Sequence, residues 1–150
     1  MTLMFQAFSL GIVGHGAEKF DTRTEAIAKD TIARAFFWYH PTQIVSGHSP
    51  MGGVDIWAEE AAEAHGITMK VYAPTNHTWG SVGGYKERNL AIAKASDVVL
   101  VIVVEEYPRL YAGLRFDDCY HCKGRNPKHK KSGACWTARK SGVGQWRIIK

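Results

Sequence analysis

The chain has 150 residues, of which 45% are hydrophobic and 22% charged. That balance belongs to a single globular domain and excludes a disordered tail, a collagen-like fibre and a disulfide-dense scaffold. The net charge of +5 is unevenly placed: residues 1–118 carry 10 Lys/Arg against 14 Asp/Glu, while residues 119–150 carry 9 Lys/Arg and no acid. Such a basic block attracts phosphate groups or simply keeps a tail solvated. The longest apolar run, Val98 to Val104, is too short to span a bilayer. The stretch Met1 to Leu10 has no basic region and no small-residue cleavage site, so the sequence predicts a cytoplasmic protein without signal peptide or membrane contact.

In chain order, apolar strands alternate with helical patterns, which predicts an α/β fold. Ala7 to Val13 reads as the first strand, with Gly14-His15-Gly16 as the turn after it. Thr22-Arg23-Thr24-Glu25 has the form of a capping box and opens a helix to about Trp38, with Ile27, Ile32, Ala35 and Phe36 near one face. Pro41 closes that unit. Gln43 to Ser46 is a second strand, and the turn Gly47 to Gly53 leads into a helix from Val54 to His65 ended by Gly66. Ile67 to Tyr72 is a third strand, followed by a loop over 73–83 and a helix from Tyr85 to Ala95. Asp97 to Val104 has no polar side to offer solvent and is predicted to be a central parallel strand. Residues 105–135 read as an irregular, basic Cys/His-rich insertion, after which a short helix near 137–141 and a strand from Gln145 to Ile149 finish the chain. Right-handed crossovers make this a small Rossmann-like, doubly wound, mostly parallel sheet in one domain over 1–150.

Ligands of such sheets sit at the carboxyl ends of the strands. Gly14 to Gly16, Ser46 to Asp55 and Asn76 to Asn89 converge there. Glycines let backbone N–H groups approach an anion, and the helix N-terminus adds a favourable dipole. Ser46, Gly47, His48, Gly52 and Gly53 are therefore candidate ligand contacts, with phosphate expected over Gly47 and the Gly52-Gly53 turn; a plain strand-to-helix turn has the same glycines. Asp55, in the first helical turn, either caps the helix or holds a ribose hydroxyl. Arg88 and Asn89 follow the glycine-rich stretch Gly80 to Gly84; the guanidinium suits phosphate and the amide a base or sugar edge, unless they are an exposed Arg and a capping Asn.

Val45-Ser46-Gly47-His48-Ser49-Pro50-Met51-Gly52-Gly53-Val54-Asp55, with Ala58-Glu59 beyond it, resembles the SGxxxGxD-x-x-AE signature of the SLOG superfamily. Tyr85 to Asn89, followed by Ala95-Ser96-Asp97-Val98-Val99-Leu100, is similar to a stretch of its DUF2493-like branch. The resemblance covers about residues 7–104 and implies a Rossmann-like fold that binds a nucleotide or nucleotide sugar at Gly14, the Ser46 to Asp55 segment, Arg88 and Asn89. Other branches are the LOG nucleotide hydrolases and the DNA-processing protein A fold. The PGGxGTxxE motif of LOG hydrolases is absent, the corresponding stretch reading Gly133-Ala134-Cys135-Trp136-Thr137. The resemblance thus leaves ligand sensing and N-glycosidic hydrolysis open, and its DNA-processing branch implies a second reading, a single-stranded nucleic-acid-binding protein that uses the basic C-terminal segment.

Cys119, Cys122, His129 and Cys135 have the order of a Cys-Cys-His-Cys zinc site, with His121 as a spare ligand. Zinc takes four such ligands in a tetrahedron, and a filled shell makes the metal structural. Lys123, Arg125, Lys128, Lys130 and Lys131 around them favour thiolate. A redox dithiol, buried cysteines and surface histidines are the competing readings. His15 and His77, with His48, fall on ligand-side loops, and His40 and His65 at helix ends. Trp57 reads as core, Trp79 and Tyr85 as rings able to stack on a base, and Trp136 as packing on the sheet. No Ser/His/Asp order and no Walker loop is recognisable, and a homo-oligomer is compatible with the sequence.

Overall fold

The computed structural model describes residues 6–108, 113–118, 125, 126, 128 and 132–150. Five strands, β1 (Ser9–Gly14), β2 (Gln43–Ser46), β3 (Thr68–Val71), β4 (Val98–Val104) and β5 (Gly144–Ile149), form one sheet in the order β3-β2-β1-β4-β5. Every pairing is parallel, with Leu10 opposite Val98 and Ile44, and Val99 opposite Gly144. Four helices, α1 (Thr22–Tyr39), α2 (Val54–Ala64), α3 (Tyr85–Ala95) and α4 (Gly133–Ser141), cover it, α1 and α2 on one face and α3 and α4 on the other. Among the described residues no helix is long and apolar enough to cross a membrane.

Strand alternation divides the core in two. Leu10, Ile12, Ile44, Leu100 and Ile102 pack against Ile32, Phe36, Trp57 and Ala58 of α1 and α2. Val13, Val45, Val99, Val101 and Val103 pack against Ile92 of α3 and Cys135 and Ala138 of α4. β4 feeds both layers, so its run of aliphatic side chains is buried on both sides, as the sequence predicts. β3 lies at one edge with all four residues exposed.

Three local readings are corrected. The helix cap is not Thr22 with Glu25 but Asp21 with Thr24: Asp21 Oδ1 accepts the Thr24 N–H at 2.7 Å and Thr24 Oγ1 accepts the Asp21 N–H at 2.8 Å. A carboxylate is the stronger acceptor at the positive end of a helix, and the Thr24 amide and hydroxyl hold it below the usual carboxylate range. Ile27 is partly exposed, and Ala28 takes the inward position. α4 starts at Gly133, earlier than residue 137, because Ser132 caps it by accepting the Cys135 N–H at 3.2 Å. The expected irregular region also contributes to the core: Glu106 bridges Arg115 in antiparallel fashion, and Tyr107 and Leu114 are buried with the α1 and α2 layer.

Ile102 is fully buried on the central strand. Ile102→Ala is expected to destabilise the fold by about 2–5 kcal/mol in urea unfolding, through lost burial and a cavity the two layers cannot close. Val82→Ala, at a position 89% exposed, is expected to change stability by less than about 0.5 kcal/mol.

Candidate functional site

β1 connects leftward to β2 and the chain returns to place β4 on its other side, so the crossovers diverge between β1 and β4. A cleft of about 400 Å³ opens at the carboxyl ends of these two strands. Gly14 forms part of its floor, where a Cβ would collide with the Ile102 carbonyl and the Val54 side chain. His15 follows, buried, with its carbonyl accepting the Val54 N–H at 3.2 Å. Its Nδ1 accepts the Val104 N–H at 3.2 Å, and Nε2 lies 3.0 Å from Tyr107 Oη. Since Nδ1 is an acceptor, the ring proton is assigned to Nε2, which donates to the tyrosine. Burial, helped by the charge of Lys19, lowers the His15 pKa to about 3, so the ring is neutral. Lys19 Nζ is 2.8 Å from Glu18 Oε1 and 5.3 Å from the Tyr107 ring centroid, at the same side of the cleft.

The turn between β2 and α2 supplies the opposite wall. Asp55 is buried in the first turn of α2. Its Oδ2 accepts the Ser49 N–H at 3.1 Å and lies 3.7 Å from Arg88 Nη1, while Oδ1 accepts no hydrogen bond among the described residues. Burial pushes its pKa up to about 6 against the pull of the Arg88 charge and the Ser49 amide. Arg88 comes from α3 and reaches across: Nη1 donates to the Gly47 carbonyl at 2.6 Å and Nε to Asn89 Oδ1 at 2.7 Å. Its guanidinium also lies over the Tyr85 ring, 5.2 Å from the centroid. Asn89 is buried, with Nδ2 near the first residue of α4.

The N-terminus of α4 closes the cleft through Ser132, Gly133 and Ala134. The Ser132 hydroxyl takes the Cys135 amide, and the Ser132 carbonyl takes that of Trp136. The N–H groups of Gly133 and Ala134 have no partner among the described residues, as expected for the first turn of a helix. Trp79, Tyr85 and His77 line the rim; Tyr85 stacks on His77 at 5.8 Å and Trp79 meets the edge of Trp136 at 4.9 Å. The arrangement combines an open carboxylate oxygen, a compensated guanidinium, unpartnered amides at a positive helix end and aromatic walls.

Of the residues singled out in the sequence, Gly14, Asp55, Arg88 and Asn89 meet at this cleft. Ser46, Gly47, His48, Gly52 and Gly53 do not line it. Ser46 is buried and donates to Glu59 Oε2 at 2.8 Å; His48 Nδ1 sits 2.8 Å from Glu59 Oε1 with its backbone at φ 48°. The N–H groups of the turn are largely committed: His48 to Ser46 Oγ, Ser49 to Asp55, Met51 to Ser49 Oγ, Gly52 to the Ser49 carbonyl and Val54 to the His15 carbonyl. Gly53, at φ 81°, is glycine because a Cβ would strike the backbone of residues 15–17. Gly53 thus brings two loops together rather than facing the cleft, and Gly47 leaves room for the Arg88 side chain. The sequence reading did not select Lys19, Tyr107 or the Ser132 to Ala134 cap. Tyr107 was signalled by following the most apolar strand, and Ser132 by preceding the Cys135 and Ala138 spacing.

Cys119, Cys122, His129 and His121 lie outside the described residues, as do Lys123, Lys130 and Lys131. Cys135 is buried on α4, its Sγ accepting the Trp146 Nε1–H at 3.4 Å and lying 4.0 Å from the Phe116 carbonyl. Burial pushes this thiol up. Among the described residues no group of three or more His, Cys, Asp or Glu side chains is placed to hold a metal ion. In the basic segment, Arg139 pairs with Asp117 at 2.9 Å and Lys140 lies over the Trp136 ring. No known protein family matches the chain, and no curated protein is significantly similar to it.

Asp55 holds its proton in the folded state to about pH 6, whereas the ordinary value is 3.8. Its contribution to stability is therefore fully present below about pH 4 and is lost as pH rises through about 6. The difference in unfolding free energy between the parent and Asp55→Asn is expected to change across that window and be flat above about pH 7. In the same range His15 is expected to show no imidazole titration by NMR, as its pKa of about 3 requires.

Proposed function

We propose that the protein binds a nucleotide or nucleotide-derived ligand in the cleft between the carboxyl ends of β1 and β4. The observation that carries this reading is the pairing, in one cleft, of the Asp55 carboxylate with the unpartnered N–H groups of Gly133 and Ala134. A carboxylate accepts two ribose hydroxyls and repels phosphate; a helix N-terminus does the reverse. Sugar over Asp55, phosphate at the start of α4 and base against Tyr85 or Trp79 satisfies all three groups. We place the phosphate at α4 rather than at the glycine turn expected in the sequence, because most of the turn's amides already bond within the protein and its glycines do not line the cleft. The SLOG resemblance of residues 45–59 and 85–100 supports the same ligand class. Within it, hydrolysis of the N-glycosidic bond is a reaction the site can host, since Asp55, near pH 6, is poised to take a proton from water.

Calorimetry against 5′-mononucleotides, cyclic nucleotides, ADP-ribose and the parent nucleosides tests this. Asp55→Asn is expected to weaken the best ligand at least about tenfold, or ~1.4 kcal/mol. Gly133→Pro deletes one N–H where proline suits the first helical position, and Ser132, at φ −62° and ψ 157°, has the extended backbone that precedes proline. It is expected to weaken phosphate-bearing ligands by a similar factor and leave nucleosides unaffected. Ligands bound equally by both variants and the parent overturn the placement. Appearance of free base identifies a hydrolase, and an unchanged ligand a sensor. The nucleic-acid reading predicts instead that oligonucleotide affinity falls steeply with salt, in proportion to the phosphates contacted.

For the basic segment we propose a structural zinc on Cys119, Cys122, His129 and Cys135. Their spacing supports it, as does the Phe116 carbonyl 4.0 Å from Cys135 Sγ, three residues ahead of Cys119. Metal binding would displace the proton that burial otherwise keeps on this thiol. Elemental analysis is expected to find one zinc per chain, lost in Cys122→Ser with the sheet still folded; metal-free protein overturns the site.

A further inference from the structure

We propose that the outward face of α1, with the groove between α1 and β5, is a two-fold interface with a second copy of this chain. A helix face turned to water is ordinarily polar. Here Phe37 and Trp38 are 79% and 78% exposed, with Ile27 partly exposed and Ala33 exposed on the same side. Beside them runs a groove of about 650 Å³, floored by Leu100 and Gln145 near the starts of β4 and β5 and flanked by Arg34 and Arg147.

The chemistry selects a second copy as the occupant. A two-fold interface uses the same patch on both partners, so that patch must be complementary to itself. This one carries aromatic knobs and, next to them, a hole edged by two guanidinium groups. Indole is the best ring for a guanidinium to lie against. A two-fold axis beside the groove seats Trp38 of each copy between Arg34 and Arg147 of the other. Removing the exposed parts of four such rings from water accounts for about 500–800 Å². The groove walls that receive them add less, since Phe37 and Trp38 are themselves part of that lining, so the total stays near or below the ~1,200 Å² at the small end of specific interfaces, the size of a weak, concentration-dependent pair. The patch is at the amino ends of β4 and β5, so both ligand clefts, at the carboxyl ends, stay open in the pair.

Sedimentation velocity of the full chain over roughly 1–300 μM reads the result directly, since interfaces near the minimum size dissociate in that range. The parent is expected to shift from the 16.7 kDa chain to twice that mass. Phe37→Glu and Trp38→Glu are each expected to raise the dissociation constant more than tenfold with an unchanged circular dichroism spectrum, since both side chains are exposed. Arg147→Glu is expected to weaken the pair while keeping both aromatic rings, which separates the cation–ring contact from general apolar association. A parent that keeps the single-chain mass throughout overturns the proposal, as does a dimer that survives both glutamate variants.

Discussion

A strand that is apolar on both sides has to be covered on both sides, and the architecture follows from that requirement at β4. Its residues alternate between two packed layers, one closed by α1 and α2 and the other by α3 and α4. Covering both faces requires crossovers that leave the sheet in opposite directions from its middle, and those directions part between β1 and β4. The cleft is the gap that this divergence leaves. Its position is therefore set by the core before any functional residue is chosen.

What fills the gap is governed by the cost of burying charge. Asp55 sits where water is scarce, and the Arg88 guanidinium 3.7 Å away only partly offsets that, so burial wins and the carboxyl keeps its proton to about pH 6. Arg88 has further tasks: through the Gly47 carbonyl it ties α3 to the turn after β2, while its bond to the neighbouring Asn89 side chain holds the guanidinium in place. Removing one member of such a buried pair costs more than the pair itself contributes, because the other charge stays behind uncompensated. The pair thus fixes the spacing of the two cleft walls. An anion entering the cleft meets a guanidinium already neutralised, while the amides of α4 remain to be satisfied.

Much of the fold was legible because its signals are local. β2, α3 and β4 stand where alternation and apolar runs put them, and glycine after His65 marked the end of α2 correctly. Asp55 and Arg88 were legible as cleft residues because each follows a strand by a glycine-rich turn. The roles of the glycines were not, since whether a loop N–H faces a ligand or a neighbouring carbonyl depends on loops distant in sequence. Gly53 meets the backbone of residues 15–17, and nothing near it in the chain announces that. Asp21 outcompeting Thr22 for the cap turned on acceptor strength, which a motif of residue types does not rank. Tyr107 was missed because it belongs to the cleft through His15, a contact between segments some ninety positions apart, and Lys19 because it meets the cleft against that same distant Tyr107 ring.

The same long separation shapes how the molecule is made. β1, β2 and β3 are neighbours in sequence as in the sheet, and they leave a ribosome together. The partner of β1 on its other side arrives much later: Ser9 is joined to Asp97 across 88 residues. Until then β1 is a bare, apolar edge, open to any extended segment that passes. Closing so large a loop is slow relative to local helix formation. The nascent chain therefore spends an interval with one apolar edge of β1 unpaired, the state in which chaperone capture and misassembly compete with completion of the sheet.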